Sequence, residues 1–292
     1  MTLTAVPGVR VGHWTDRAAG TGCTVIVFPE PNVSAVEIRG AAPGSRETAL
    51  LAPGMRVEQI QAILLTGGSA FGLAAADGVM AGLEAEGRGH PTPAGPVPIV
   101  PAAVVFDLMV GDRMVRPGAA EGLTAFEKAT SDPVVAGRWG AGAGATVAKW
   151  RGFDQPGGLG SFSVVAAGAT VGALAVLNAV GDVFSLEGES LTGGDLVPGP
   201  PVVPPMPGTN TTLVVVATDA RLSRVELGRL ALRSQDALAV CLRPAHTRYD
   251  GDTSFAISCG EVEANLDVLS EAAFHVTGRA IETAVRAAAA KG

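Results

Sequence analysis

From Ser163 to Gly181 the chain reads SVVAAGATVGALAVLNAVG, and no charge occurs until Asp182. A segment without a polar face has no side to turn toward water, so it must be covered on both faces wherever it folds. A membrane helix would meet that condition. The valines, the glycines at 168 and 172 and the Gly181-Asp182-Val183 turn instead predict two buried antiparallel strands over 163–184. Pro, Gly or a charge interrupts every candidate run of about 18 apolar residues, so no membrane span is expected. TTLVVVATDA at 211–220 predicts another buried strand.

The rest of the chain supplies the covers. Residues 21–28 and 33–38 read as strands on either side of the turn Pro29-Glu30-Pro31-Asn32, and 56–65 ends as a strand running into Gly67-Gly68. After Ser69, Phe71, Leu73, Ala76, Val79, Met80 and Leu83 fall on one helical stripe. Residues 99–108 read as extended, 119–130 as a helix and 137–161 as a glycine-rich region around Lys149. The stretch 223–242 is amphipathic with Ser223 as its N-cap, 253–260 is a strand, and the last 30 residues form a helix broken near Gly278. Six prolines between 188 and 210 leave an exposed linker there. Strands and helices follow no strict βαβ alternation, so antiparallel or mixed sheets with covering helices fit best.

At 47% hydrophobic and 17% charged residues, disorder is excluded. The net charge of −7, with no Lys/Arg cluster, argues against nucleic acid or an anionic membrane as partner. The N-terminus lacks a basic region followed by an apolar run, so no signal peptide is expected. Cys23, Cys241 and Cys259 are an odd number without C-x-x-C, as in a reduced, cytoplasmic protein.

The junction Pro207-Gly208-Thr209-Asn210-Thr211-Thr212 carries the chemistry. A flexible linker enters a buried strand with hydroxyls at the boundary. There the Thr211 hydroxyl can attack the carbonyl of Asn210 through a five-membered ring, and hydrolysis of the ester frees Thr211 as a new N-terminus. The freed α-amine, with an ordinary pKa of about 7.7–8.0, can activate that hydroxyl. The same residues also read as a loop entering a strand, and by themselves they leave both open. Gly67-Gly68-Ser69-Ala70-Phe71 fails G-x-S-x-G because Phe71 replaces the last glycine, so Ser69 is not an elbow nucleophile. It is read, with Gly68, as a helix-capping turn beside the pocket. GAGAG at 140–144 lacks a dinucleotide-binding context. His13, His90, His246 and His275 are scattered without H-E-x-x-H, so neither metal nor cofactor is expected, and His246 is read as structural.

The run NTTLVVVATDARLSRVEL resembles the nucleophile segment of the P1 peptidase family, which includes L-aminopeptidase/D-Ala-esterase, β-peptidyl aminopeptidases and 6-aminohexanoate-oligomer hydrolase. Further stretches in the family's order are IRGAAPGSRET, LLTGGSAFGLAAADGVM, GAGAGATVAKW, GGLGS, TVGALAVLNAVGDV and HTRYDGDTSFAIS. The Asn-Thr-Thr form is most similar to the nylon-oligomer branch. The resemblance implies a single domain over 1–292 with a four-layer αββα sandwich of mixed, largely antiparallel sheets. It also implies self-cleavage between Asn210 and Thr211 into chains 1–210 and 211–292, and a homo-oligomer, often a tetramer of processed units.

By the same resemblance, Thr211 is the nucleophile, Asn178 the amide donor near the oxyanion, and Asp250 with Asp252 the acidic pair. Lys149 is a nearby cation that would lower the pKa of the Thr211 amine and order that pair. Phe106 stands where relatives carry a Tyr whose hydroxyl helps polarise the carbonyl; Phe cannot donate a hydrogen bond. With one residue between them on an extended segment, both carboxylates would face one side. The implied activity is hydrolysis of small peptide or amino-acid amides through an acyl-enzyme on Thr211. Two other readings stay open: ornithine acetyltransferase-like acyl transfer to an amine, and an unprocessed small-molecule-binding scaffold of the same fold.

Overall fold

A computed structural model of the chain describes residues 1–206 and 208–290; Pro207 of the junction and the last two residues lie outside the described set. In chain order the strands of the two main sheets are β1 (Arg10–Asp16), β2 (Thr21–Val27), β3 (Val33–Ile38), β4 (Ser45–Arg46), β5 (Ala62–Thr66), β6 (Ala102–Val104), β7 (Gly158–Ala166), β8 (Ala169–Asn178), β9 (Thr211–Ala220) and β10 (Thr253–Val262). The helices are α1 (Ala75–Ala85), α2 (Ala119–Glu127), α3 (Arg224–Cys241) and α4 (Leu266–Ala289).

The first sheet runs β1-β2-β5-β6-β4 and the second β7-β8-β9-β10-β3. Only the β5–β6 and β9–β10 pairings are parallel in these two sheets; the rest are antiparallel. Helices α1 and α2 pack on the outer face of the first sheet, α3 and α4 on that of the second. The architecture is a four-layer αββα sandwich.

The charge-free run explains its place in those layers. Leu174 and Val176 of β8 and Leu213 and Val215 of β9 join Ile26, Ile63, Leu65, Phe255 and Ile257 in the core between the sheets. The alternate residues Ala173, Ala175, Leu177, Val214 and Val216 join Leu230, Val276 and Ala280 in the core under α3 and α4. Both faces of β8 and β9 are therefore buried, which is why neither strand alternates with polar residues. Helix α3 starts where expected: Ser223 Oγ accepts from the N–H of Glu226, and the Glu226 carboxylate accepts from the N–H of Ser223 at 2.8 Å.

Three details differ from the sequence reading. Strand β1 has mixed burial, which masked it in the sequence. The extended segment 99–108 contributes only Ala102–Val104 to the sheet. Helix α4 runs unbroken through Gly278: Leu186 packs where a Cβ would stand, so the glycine serves a close contact and not a break. From Leu191 to Thr209 the described residues form neither helix nor strand and are mostly exposed. Among the described residues no helix is long and apolar enough to cross a membrane.

Candidate active site

Strand pairing brings the first site residues together. Thr211 opens β9 and lies opposite Asn178, the last residue of β8. On the other flank β10 begins at Thr253, so Asp250 and Asp252 sit in the loop just before it, and Asn210 forms an isolated parallel bridge with Asp250. Asn178, Asn210, Thr211, Asp250 and Asp252 are all buried.

The Thr211 hydroxyl donates to the carbonyl oxygen of Asn210, its own preceding peptide, at 2.5 Å. That oxygen also accepts from the N–H of Gly251 at 2.8 Å. The carbonyl is thus held between the hydroxyl beside it and a backbone donor. A Cβ on Gly251 would lie 2.8 Å from Thr211 Oγ1 and 2.8 Å from the carbonyl oxygen of Ala42, so only glycine leaves the hydroxyl its place.

Asn178 uses its whole carboxamide. Oδ1 accepts from the N–H of Thr146 and from Lys149 Nζ, each at 3.0 Å. Nδ2 donates to the carbonyl oxygens of Phe106 at 3.1 Å and Thr209 at 3.2 Å. Phe106 therefore enters the network through its backbone, and the residue borders the cavity. Lys149 Nζ also donates to the backbone carbonyl of Asn178 at 3.2 Å; its hydrogen bonds go to Asn178 and not to the acidic pair. Burial pushes the Lys149 amine down to about 7, and the charges of Asp154 and Asp250 pull it partway back.

The carboxylates do not share one face. Asp250 Oδ2 accepts from the N–H and hydroxyl of Thr247 at 2.9 and 2.5 Å. Asp252 Oδ1 accepts from the N–H of Thr212 at 2.7 Å, and Oδ2 meets His246 Nδ1 at 2.9 Å. Burial, and then the neighbouring Asp252, raises Asp250 to about 6, with the Thr247 bonds acting against the rise. His246 is a member of the site that its sequence position did not reveal. Its Nε2 faces the carbonyl oxygen of Gln235 at 3.1 Å while Nδ1 faces Asp252. A carbonyl only accepts, so the His246–Asp252 pair carries a proton between them beyond that on Nε2. Burial opposes the imidazolium, but the hydrogen bond and charge of Asp252 outweigh it and the His246 pKa is raised.

Part of this network borders a cavity of about 630 Å³ whose walls include Phe106, Asp107, Thr146, Lys149, Thr209 and Asn210; Asn178, Thr211, Asp250 and Asp252 do not line it. Gly68 and Ser69 are not among its walls. Gly68, at φ +80°, donates its N–H to Asp107 Oδ1 at 2.7 Å and so holds a residue that is. The chemistry such a site offers is acyl transfer: a buried hydroxyl, amide and backbone donors, and two groups poised near neutrality.

Lys149 also sets a pH test. Its folded pKa lies below its unfolded one, so between about pH 7 and its ordinary 10.5 the unfolded chain binds more protons and stability rises with pH. Replacing it by Met removes that slope. Melting temperatures of Lys149→Met and the parent, measured from pH 7 to 10, should show the variant's relative advantage shrinking as pH rises. A constant difference would mean that the amine is not desolvated.

Residues 2–291 match the family described as Peptidase family S58. An uncharacterized aminopeptidase of Mycobacterium leprae is 43% identical over 293 residues, covering 90% of this chain and 80% of that protein. A 6-aminohexanoate-oligomer endohydrolase of Paenarthrobacter ureafaciens is 32% identical over 274 residues, covering 88% and 74%. Among solved structures, the L-aminopeptidase D-Ala-esterase/amidase of Ochrobactrum anthropi, described as a variant of the Ntn hydrolase fold, superposes with a TM-score of 0.75 at 22% identity, covering 98% of this chain and 86% of that one. A Burkholderia sp. β-aminopeptidase gives 0.74 at 23%, covering 98% and 85%.

Proposed function

The chain belongs to peptidase family S58, a family of amide- and peptide-bond hydrolases, and from that premise we propose that it is a self-processing aminopeptidase whose N-terminal nucleophile is Thr211. The observation that carries this is the Asn210 carbonyl, with the Thr211 hydroxyl at 2.5 Å on one side and the Gly251 N–H at 2.8 Å on the other. In self-cleavage Thr211 Oγ bonds to the Asn210 carbonyl carbon, and Gly251 N–H stabilises the negative oxygen. The C–N bond then breaks, the nitrogen takes up the proton lost by the hydroxyl and leaves as the Thr211 amine, and water cleaves the ester to give chains 1–210 and 211–292.

In turnover the freed amine accepts the hydroxyl proton as Thr211 attacks a substrate amide; the substrate C–N bond breaks, the proton passes to the departing amine, and water hydrolyses the ester to release the acyl group as its acid. The Asn178 carboxamide changes partner between the two stages. One of its hydrogens is held by the carbonyl of Thr209, on the segment that ends at the cut. Withdrawal of that segment frees the hydrogen for the substrate's oxyanion. Asp252, fixed by Thr212 and His246, and Asp250, raised to about 6, supply the acidic side of the proton exchange. The names of the relatives, aminopeptidase and 6-aminohexanoate-oligomer endohydrolase, fit small peptide or amide substrates.

Intact mass and N-terminal sequencing test the first stage. The purified protein should consist of two fragments, the smaller beginning at Thr211. Gly251→Ala, which crowds the hydroxyl, should slow the appearance of those fragments roughly 100-fold, the scale of a misplacement of about 1 Å. A parent protein that stays whole yet hydrolyses amides would overturn the reading.

A further inference from the structure

The resemblance assigns the cation beside the acidic pair to Lys149, yet that amine hydrogen-bonds to Asn178. The side chain that reaches the pair is His246. At φ +52° its backbone turns so that its N–H, at 3.2 Å, and its Nδ1, at 2.9 Å, both meet Asp252 Oδ2. Nε2 has to donate to the Gln235 carbonyl of α3 at 3.1 Å, so the contact between Nδ1 and Asp252 holds a second proton and the pair is imidazolium with carboxylate. Asp252 is buried, and water and salt do little to screen such a pair. The charges acting on His246 are those of Asp252 and Asp250, both in its own loop. Helix α3 presents the uncharged Gln235 carbonyl, and at the neighbouring end of β3 Arg39 and Glu37 are paired with each other.

The other oxygen of Asp252, Oδ1, accepts from the N–H of Thr212 at 2.7 Å. One residue of chain spans at most about 3.6 Å, so the Thr211 nitrogen lies within roughly 6 Å of that oxygen. A bare carboxylate at such a distance favours an ammonium and raises the pKa of the amine. An ammonium cannot accept the hydroxyl proton, so an uncompensated Asp252 would hold the nucleophile idle at neutral pH. We propose that His246 is a positioning residue that neutralises Asp252, so that the Thr211 amine freed by cleavage is uncharged near neutral pH and can take the hydroxyl proton. This rests on the Thr211 reading and adds to it what sets the pH at which the site works. His246 touches no reacting atom and acts through Asp252 alone.

His246→Asn removes the charge and keeps a donor: the Asn amide nitrogen takes the place of Nδ1, and Asn accommodates a positive φ. With amino-acid p-nitroanilides, the acidic limb of kcat/KM should move up by about one pH unit or more in the processed variant. Below the limb the variant is then about tenfold slower than the parent, and above it the two are equal. The substrate's own amine titrates alike for both proteins. Adding Asp252→Asn to His246→Asn removes the carboxylate that the imidazolium offsets and should return the limb to the parent's position. An unmoved limb, a rate lowered equally at every pH, or a limb that stays raised in the double variant overturns the proposal and leaves Thr211 standing. A parent that is never cut overturns both, because it has no such amine. The coupling is also readable without a His246 variant or a substrate. Linkage is reciprocal, so the Thr211 ammonium must lower the pH at which His246 loses its proton. NMR titration of the four histidines should show His246 deprotonating at lower pH in the cut parent than in uncut Thr211→Ala; identical titrations overturn the proposal.

Discussion

Thr211→Ala is expected to give a single 29.3 kDa chain with amide turnover reduced on the order of 10⁴-fold or more. Both losses follow from one atom. The hydroxyl that contacts the Asn210 carbonyl is the group that would open that peptide bond, and among the described residues no other side-chain hydroxyl, thiol or amine is hydrogen-bonded to that carbonyl. The fold should survive, because the methyl of Ala stays in the same buried strand start and the pairing with Asn178 is a backbone register. Thr211→Ser keeps the oxygen and should keep fragmentation, which separates loss of the hydroxyl from loss of shape. Denaturing electrophoresis reads the first stage and release of p-nitroaniline from amino-acid anilides reads the second. Hydrolysis persisting in Thr211→Ala would place the nucleophile elsewhere.

Asn178→Ala should damage both stability and chemistry. The carboxamide satisfies the Thr146 N–H, the Lys149 amine and the carbonyls of Phe106 and Thr209 at once. Its removal strands several buried groups, each worth about 1–3 kcal/mol, so a loss of roughly 3 kcal/mol or more is expected. In a protein of this size that corresponds to a melting temperature lower by about 5–10 °C. Turnover should fall about 10²–10³-fold, the usual effect of deleting one oxyanion donor. Calorimetry and the same anilide assay measure the two effects separately. A variant that melts like the parent and turns over normally would remove Asn178 from the site.

Asn178, set inside a charge-free run, was singled out only through the family resemblance, whereas Thr211 was visible where the linker meets an uninterrupted apolar run. Such boundaries mark the ends of strands buried on both faces, and neighbouring strand ends meet in space. Asp250 and Asp252 were visible as a pair, but their divergence was not, since it depends on a loop that turns each toward a different partner. His246 was hidden for the same reason: at φ +52° it folds back onto Asp252, and a histidine six residues upstream announces no such contact. Gly251 is one of 39 glycines in the sequence, and only the approach of Thr211 gives its missing side chain a purpose. Phe106 drew notice for its ring, whereas the network uses its carbonyl.

The place of β9 and β10 in the second sheet governs what a cut at Asn210–Thr211 could do. Both lie between β8 and β3, which belong to the first 210 residues, and the parallel pairing joins β9 to β10 within the last 82. The shorter piece is interleaved with the longer one and is no detachable appendage. Severing the backbone there would divide the covalent chain without dividing the molecule, and the two fragments would stay locked together for as long as the sheet itself endures.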